Sequence, residues 1–208
     1  MPQSPELHVI TNGRQSLDEV LRMAEAAYAG GMDYLHIREK QRTARECMDW
    51  VYALAEVVPK QCLVINDRVD VAAAAACRGA HLAYHSLNPS EARKVLSREQ
   101  WIGRSVHSGV EAEQAVREGV NYVLYGHIFP SGSKPGAAPR GTTELAQITT
   151  GLSIPVIGIG GITPGNVGQV LAAGCAGVAV LSGITDAIDV KQATLEYRNA
   201  LDTWEGHV

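Results

Sequence analysis

Tyr122-Val-Leu-Tyr-Gly-His-Ile-Phe-Pro-Ser-Gly-Ser-Lys134 is an apolar strand that runs directly into a Gly/Ser/Pro-rich loop. The loop carries one imidazole, His127, just past the strand end, and one ammonium, Lys134, a few residues on. A parallel α/β sheet presents reactive groups in this way, at the carboxyl edge of its strands.

Toward the C-terminus the same grammar recurs twice. Pro155-Val-Ile-Gly-Ile159 is followed by a helix start at Thr163-Pro164, and Gly177-Val-Ala-Val-Leu181 by a closing helix over 188–204. Toward the N-terminus, strands are predicted at 101–106, 81–84, 62–66, 33–39 and 8–11. Ser16-Leu-Asp-Glu19 and Thr43-Ala-Arg-Glu46 are capping boxes that open two of the intervening helices. The second buries Cys47, Trp50, Val51 and Leu54 at i, i+3, i+4, i+7 spacing. Asn88-Pro89 gives a cap and an N1 proline, Ser108 starts a helix that ends near Gly119, and an alanine-rich helix spans 70–78. Eight strands, each followed by a helix, predict an α/β fold of one kind: a (β/α)8 TIM barrel, one domain over residues 1–208. A doubly wound sheet uses the same alternation but fewer units at this length.

The composition limits the function classes. The chain of 208 residues is 46% hydrophobic and 19% charged, with a formal net charge of −4. It has no Lys/Arg run, which argues against nucleic acid or a membrane surface as partner. No apolar stretch approaches the ~18 residues of a membrane span. The start, Met1-Pro-Gln-Ser-Pro5, has neither a basic nor an apolar leader segment, so a cytoplasmic location is expected. Cys47, Cys62, Cys77 and Cys175 are scattered, as buried thiols in a reducing compartment are.

Two glycine-rich strand ends fall late in the chain, Gly158-Ile-Gly-Gly161 and Ser182-Gly183. In a barrel they follow strands seven and eight, where backbone amides commonly hold a phosphate. Gly160, Gly161, Ser182 and Gly183 are therefore the expected phosphate-binding residues. Glycines that merely permit tight turns would look the same.

The strand ends, in order, are His36-Ile-Arg-Glu-Lys40, Asn66-Asp-Arg-Val-Asp70, His81-Leu82, Gly103-Arg-Ser-Val-His-Ser108, Gly126-His-Ile-Phe-Pro-Ser131, Gly158-Ile-Gly-Gly-Ile162 and Val178-Ala-Val-Leu-Ser182. This series resembles the thiamine-phosphate synthase superfamily along essentially the whole chain, and within it looks closest to the thiazole tautomerase (TenI) branch. The synthases usually have glutamine where this chain has His36, and proline where it has His127. They supply a carboxylate after the fourth strand that helps hold Mg²⁺, and here that turn reads Ala83-Tyr-His-Ser86.

The resemblance implies an isomerase that moves one proton in a carboxythiazole phosphate to give the aromatic ring used in thiamin biosynthesis. Such a reaction needs no metal and no cofactor. It needs a group that accepts and donates a proton near neutral pH, and histidine suits that task. His127 is the candidate general acid/base. Arg38, Lys40 and Lys134 sit where the synthases contact pyrophosphate, and are expected to bind the anionic substrate. Asn66 and Asp67 end the third strand and are open to several readings: a hydrogen bond to the ring, the tuning of a histidine and, for Asp67, a cap on the following helix. His36 alternates with Arg38 and is open to two readings, a substrate contact and a satisfied core histidine. His81 and His107 read as structural, and His8 as packing. A zinc site from His36, His107 and His127 lacks close ligand pairs. The alternatives are a Mg²⁺-dependent transferase of the synthase type and a non-catalytic sensor of thiazole phosphate. The superfamily suggests a homodimer, and the 130–140 loop has the composition of a lid.

Overall fold

The computed structural model of the chain describes residues 4–132, 136 and 138–205. Strands and helices alternate as β1 (Glu6–Ile10), α1 (Leu17–Ala29), β2 (Tyr34–Ile37), α2 (Ala44–Leu54), β3 (Leu63–Asn66), α3 (Val69–Ala75), β4 (Gly79–Leu82) and α4 (Pro89–Ala92). They continue as β5 (Trp101–Val106), α5 (Gly109–Arg117), β6 (Tyr122–Gly126), α6 (Gly141–Gly151), β7 (Val156–Ile159), α7 (Val167–Ala172), β8 (Gly177–Val180), α8 (Ser182–Thr185) and α9 (Val190–Asp202). The strands close in sequence order, β1 pairing with both β2 and β8, and every pair is parallel. The (β/α)8 TIM barrel is thus the fold. Among the described residues no helix is long and apolar enough to cross a membrane.

Local sequence chemistry explains the helix starts. Ser16 and Thr43 each accept from the backbone N–H three residues on, while Glu19 and Glu46 accept in return from the cap amides at 2.7 Å. Each box satisfies two amides that a helix N-terminus otherwise leaves without partners. Cys47, Trp50, Val51 and Leu54 are buried on one face of α2, as their spacing predicts.

Several boundaries differ from expectation. The fourth strand lies two residues earlier than 81–84, because Gly79 pairs with Trp101 and starts the ladder there. The helix after β7 does not start at Thr163-Pro164. Asn166 Oδ1 first accepts the Thr163 amide at 2.9 Å, and that turn delays α7 to Val167. The closing helix is Val190–Asp202, preceded by the separate short turn of α8. Of the cysteines, Cys47, Cys77 and Cys175 are buried, whereas Cys62 is half-buried. Burial pushes the Cys175 thiol up to about 12.

The pleat splits each strand's side chains between two environments. Leu7, Val9, Leu35, Ile37, Leu63, Ile65, Leu82 and Ile102 face the helices and form the main core. Ile10, Tyr122, Leu124, Ile157 and Ala179 face inward and form a second, smaller cluster. Inward positions of β1, β2 and β4 hold His8, His36 and His81, all buried.

Candidate active site

The parallel barrel brings every strand's carboxyl end to one mouth, so chemistry-bearing residues far apart in sequence share a rim. Beneath the mouth the interior is polar. His8 Nδ1 lies 2.9 Å from His36 Nε2, and His8 Nε2 lies 3.1 Å from the Glu6 carboxylate. His81 Nε2 is 2.8 Å from Ser105 Oγ, and its Nδ1 is 3.2 Å from the Tyr122 hydroxyl. Desolvation, with the neighbouring His8 and His81 imidazoles as smaller contributions, holds His36 well below the ordinary imidazole range. The same burial, together with His8 and Arg104, lowers His81 to about 3. His36 and His81 are therefore neutral at physiological pH.

At the rim of β2, Arg38 is half-buried and Lys40 exposed. Between them Glu39 is buried, and its carboxylate accepts from Thr11 Oγ1 at 2.7 Å and Arg42 Nε at 3.3 Å. Thr11 Oγ1 in turn accepts the Arg38 amide at 2.9 Å. This network fixes the β2 loop against the end of β1 and so sets where the two flanking cations begin. Sequence reading missed Glu39 and Thr11. The available signal was parity, since Glu39 continues the outward alternation of Leu35 and Ile37 into a buried position.

Asn66 ends β3 opposite His81 in the ladder. Asp67 follows in the left-handed region, φ 69°, and its Oδ2 lies 3.2 Å from His85 Nε2 in the loop after β4. In that loop Ser86 Oγ accepts the Ala83 amide at 2.7 Å, so the hydroxyl serves the turn. A cleft of about 420 Å³, lined by Tyr84, Asn88, Arg104, Ser105 and His107 among others, opens beside these residues. The His107 amide donates to Glu111 Oε2 at 2.7 Å, which ties the end of β5 to α5. Among the described residues no cluster of three metal-ligating side chains occurs.

His127 follows β6 and is buried. The loops after β6 and β7 are joined through Ile128 N–H to Ile159 O and Phe129 N–H to Gly160 O, both at 3.0 Å. Gly160, at φ 99°, lies so close to His127 that a Cβ there would sit 2.3 Å from the His127 Cβ. A Cβ on Gly161, at φ 66°, would meet the Pro130 carbonyl at 2.3 Å. Both glycines are thus required by backbone conformation and loop packing before any phosphate is considered. Gly183 is similar: a Cβ would be 2.3 Å from the Tyr197 hydroxyl, which donates to Ile162 O at 2.9 Å. Ser182 opens α8. Lys134 lies outside the described residues. The barrel does bring Arg38, Lys40, Asn66, His127, Gly160, Gly161, Ser182 and Gly183 to one end, while His36 sits a layer deeper.

The fold and site define a (β/α)8 barrel with basic side chains after β2 and glycine-rich loops after β7 and β8 at a common mouth. A family model described as thiamine monophosphate synthase (TMP-TENI) matches residues 7–184, and the chain belongs to that family. Thiamine-phosphate synthase of Haloquadratum walsbyi is 38% identical, with 98% of this chain and 94% of that protein covered. The protein of the same name from Chlorobium phaeobacteroides is 34% identical across 100% of both. Among solved structures, thiamine phosphate pyrophosphorylase from Pyrococcus furiosus superposes with a TM-score of 0.85 at 31% identity, covering 97% of each chain.

These relatives overturn the tautomerase expectation. The chain is similar over its whole length to proteins named as synthases, and the isomerase reading rested on a few substitutions, chiefly His127 and Ser86. The general acid/base role assigned to His127 was an argument for that reaction and is not carried forward with it.

Proposed function

We propose that the chain is a transferase of the thiamine-phosphate synthase type, joining a thiazole phosphate to a pyrimidine diphosphate. The observation that carries this is full-length similarity to named synthases together with the basic β2 rim. In the reaction, the carbon–oxygen bond between the pyrimidine methylene and the diphosphate breaks, and the electron pair leaves with pyrophosphate. The thiazole nitrogen lone pair forms the new carbon–nitrogen bond.

In this reading Arg38, Lys40 and Lys134 bind the diphosphate, Arg38 through its two-pronged guanidinium and the lysines as point charges. They stabilise charge that grows on the leaving group, the kind of interaction that lowers a barrier rather than merely tightening binding. Glu39 and Thr11 hold the loop that carries the first two. Gly160, Gly161, Ser182 and Gly183 offer backbone amides to the thiazole phosphate. His36 and Asn66 contact the pyrimidine.

The synthases use Mg²⁺, and the residues present fit it sparingly. Asp67 is one carboxylate at the mouth, and such ions are bound by one or two carboxylates plus substrate phosphates. Ser86, the position after β4 without an acid, adds none. When bound, the ion supplies charge neutralisation to the diphosphate, and Asp67 would hold it.

Mixing the two substrates with Mg²⁺, and following thiamine phosphate as its fluorescent oxidation product alongside pyrophosphate release, tests the reading. Equal amounts of both products are expected. Neither product at enzyme concentrations matching the substrates sinks it.

A further inference from the structure

On β5 a charged residue stands on the face where its neighbours are aliphatic. Ile102 and Val106 pack among the helices, and strand alternation puts Arg104 on that same side. Its ladder partners, Leu82 and Val123, also belong to the outer core. Arg104 lines the cleft of about 420 Å³ that runs between the loop after β4 and α5, on the helix side of the strands. We infer that this cleft is a second binding site, separate from the barrel mouth, for a small organic carboxylate whose charged group pairs with Arg104. The inference stands apart from the transferase reading.

Arg104 Nη1 is buried, and among the described residues it has no hydrogen-bond partner. A charged donor taken from water and left unpaired is costly, and an incoming acceptor recovers that cost. The acids beside it are engaged elsewhere. Glu111 Oε2 accepts the His107 amide at 2.7 Å, and Glu118 Oε1 accepts from Gln114 Nε2 at 2.6 Å. Arg117, the other cation of the cleft, donates to Gln114 Oε1 at 3.0 Å and lies 3.6 Å from the Glu113 carboxylate. The planar fork of a guanidinium matches the two oxygens of a carboxylate. With Glu111 and Glu118 on the α5 wall, a singly charged carboxylate is repelled less than a phosphate, which carries roughly two charges. An apolar body also has a place to lie, since Tyr84 and Val110 border the cleft and are 86% and 75% exposed. The volume falls within the range of small-molecule pockets, roughly 300–1,000 Å³.

Benzoate joins a planar carboxylate to an apolar ring and serves as the probe, and benzamide gives nearly the same shape without the charge. Backbone amide NMR of the full chain locates binding without any turnover. Benzoate is expected to give saturable shifts at the amides of Arg104, His107 and Val110, with those of Arg38 and Gly160 unmoved. Benzamide is expected to bind about tenfold more weakly or worse, the scale of one charge-assisted hydrogen bond. Arg104→Met keeps the length of the side chain, removes its charge, and is expected to abolish the benzoate shifts. No shift at the highest soluble benzoate concentration overturns the inference. So do equal binding of benzamide, shifts centred on the mouth, or benzoate binding that survives Arg104→Met. The comparison of the two probes uses the unaltered chain, so the test stands should the variant fold poorly.

Discussion

The two faces of the same eight strands are built from different materials. The outward face is almost wholly aliphatic, with Leu7, Leu35, Ile37, Leu63, Ile65 and Leu82 packed against the helices. The inward face carries the imidazoles of His8, His36 and His81 beside Tyr122 and Trp101, with Ile10, Leu124 and Ile157 completing it. Barrel interiors are more usually filled by branched aliphatic side chains. Burying neutral imidazoles costs desolvation that hydrogen bonds only just offset. The difference indicates that the outer layer supplies the stability, while the inner layer holds a hydrogen-bonded polar set beneath the mouth.

The sharpest way to break this division is to cut into each layer in turn. Leu82→Ala, in the outer layer, is expected to lower stability by roughly 2–5 kcal/mol in urea titration, with transferase kcat/KM little changed where the protein remains folded. Arg38→Ala should do the reverse. It should cut kcat/KM about a hundredfold, as loss of one charge-stabilising donor typically does, with the urea midpoint unmoved. Gly160→Ala joins the two effects, because it strains a left-handed residue and drives a Cβ into His127. A loss of about 1–3 kcal/mol is expected, along with weaker binding of thiazole phosphate by calorimetry.

The inner layer also predicts an acid limb. The folded-state pKa values of His36 and His81 are depressed, the latter to about 3. The unfolded chain therefore binds more protons below the ordinary imidazole value of about 6.5, and stability rises with pH there. Their contribution is complete above that value and is lost progressively as pH falls from it toward 3. His36→Gln should flatten this decline in melting temperature against pH, and an unchanged slope would remove His36 from the account. Tyr125→Phe should have the smallest effect. It deletes a 2.7 Å bond to Glu144 that ties β6 to α6, worth about 1 kcal/mol by thermal melting.

Much of the fold was legible locally. Ser16 and Glu19, or Thr43 and Glu46, satisfy each other's backbone within one helical turn, so four residues contain the whole cause. Boundaries were less legible where a distant strand set them, as Trp101 does for Gly79. The site was legible as a rim but not as a network. Arg38 and Lys40 are conspicuous by charge, whereas Glu39 becomes interpretable only when Thr11, on another strand, is seen to reach it. The functional expectation failed for a different reason: the relatives that match the whole chain are named as synthases, and a few strand-end substitutions do not outweigh that similarity.

The sequence alone determined the eight βα units, the capped helix starts and the family, because periodicity, capping and strand-end motifs act over a few residues at a time. Tertiary structure alone decided that His8 meets His36, that Glu39 anchors the basic loop and that Asp67 faces His85. Those pairs join residues 18 to 28 positions apart. No local pattern encodes them, since they exist only once the parallel strands have closed in register and turned alternate side chains to a shared interior.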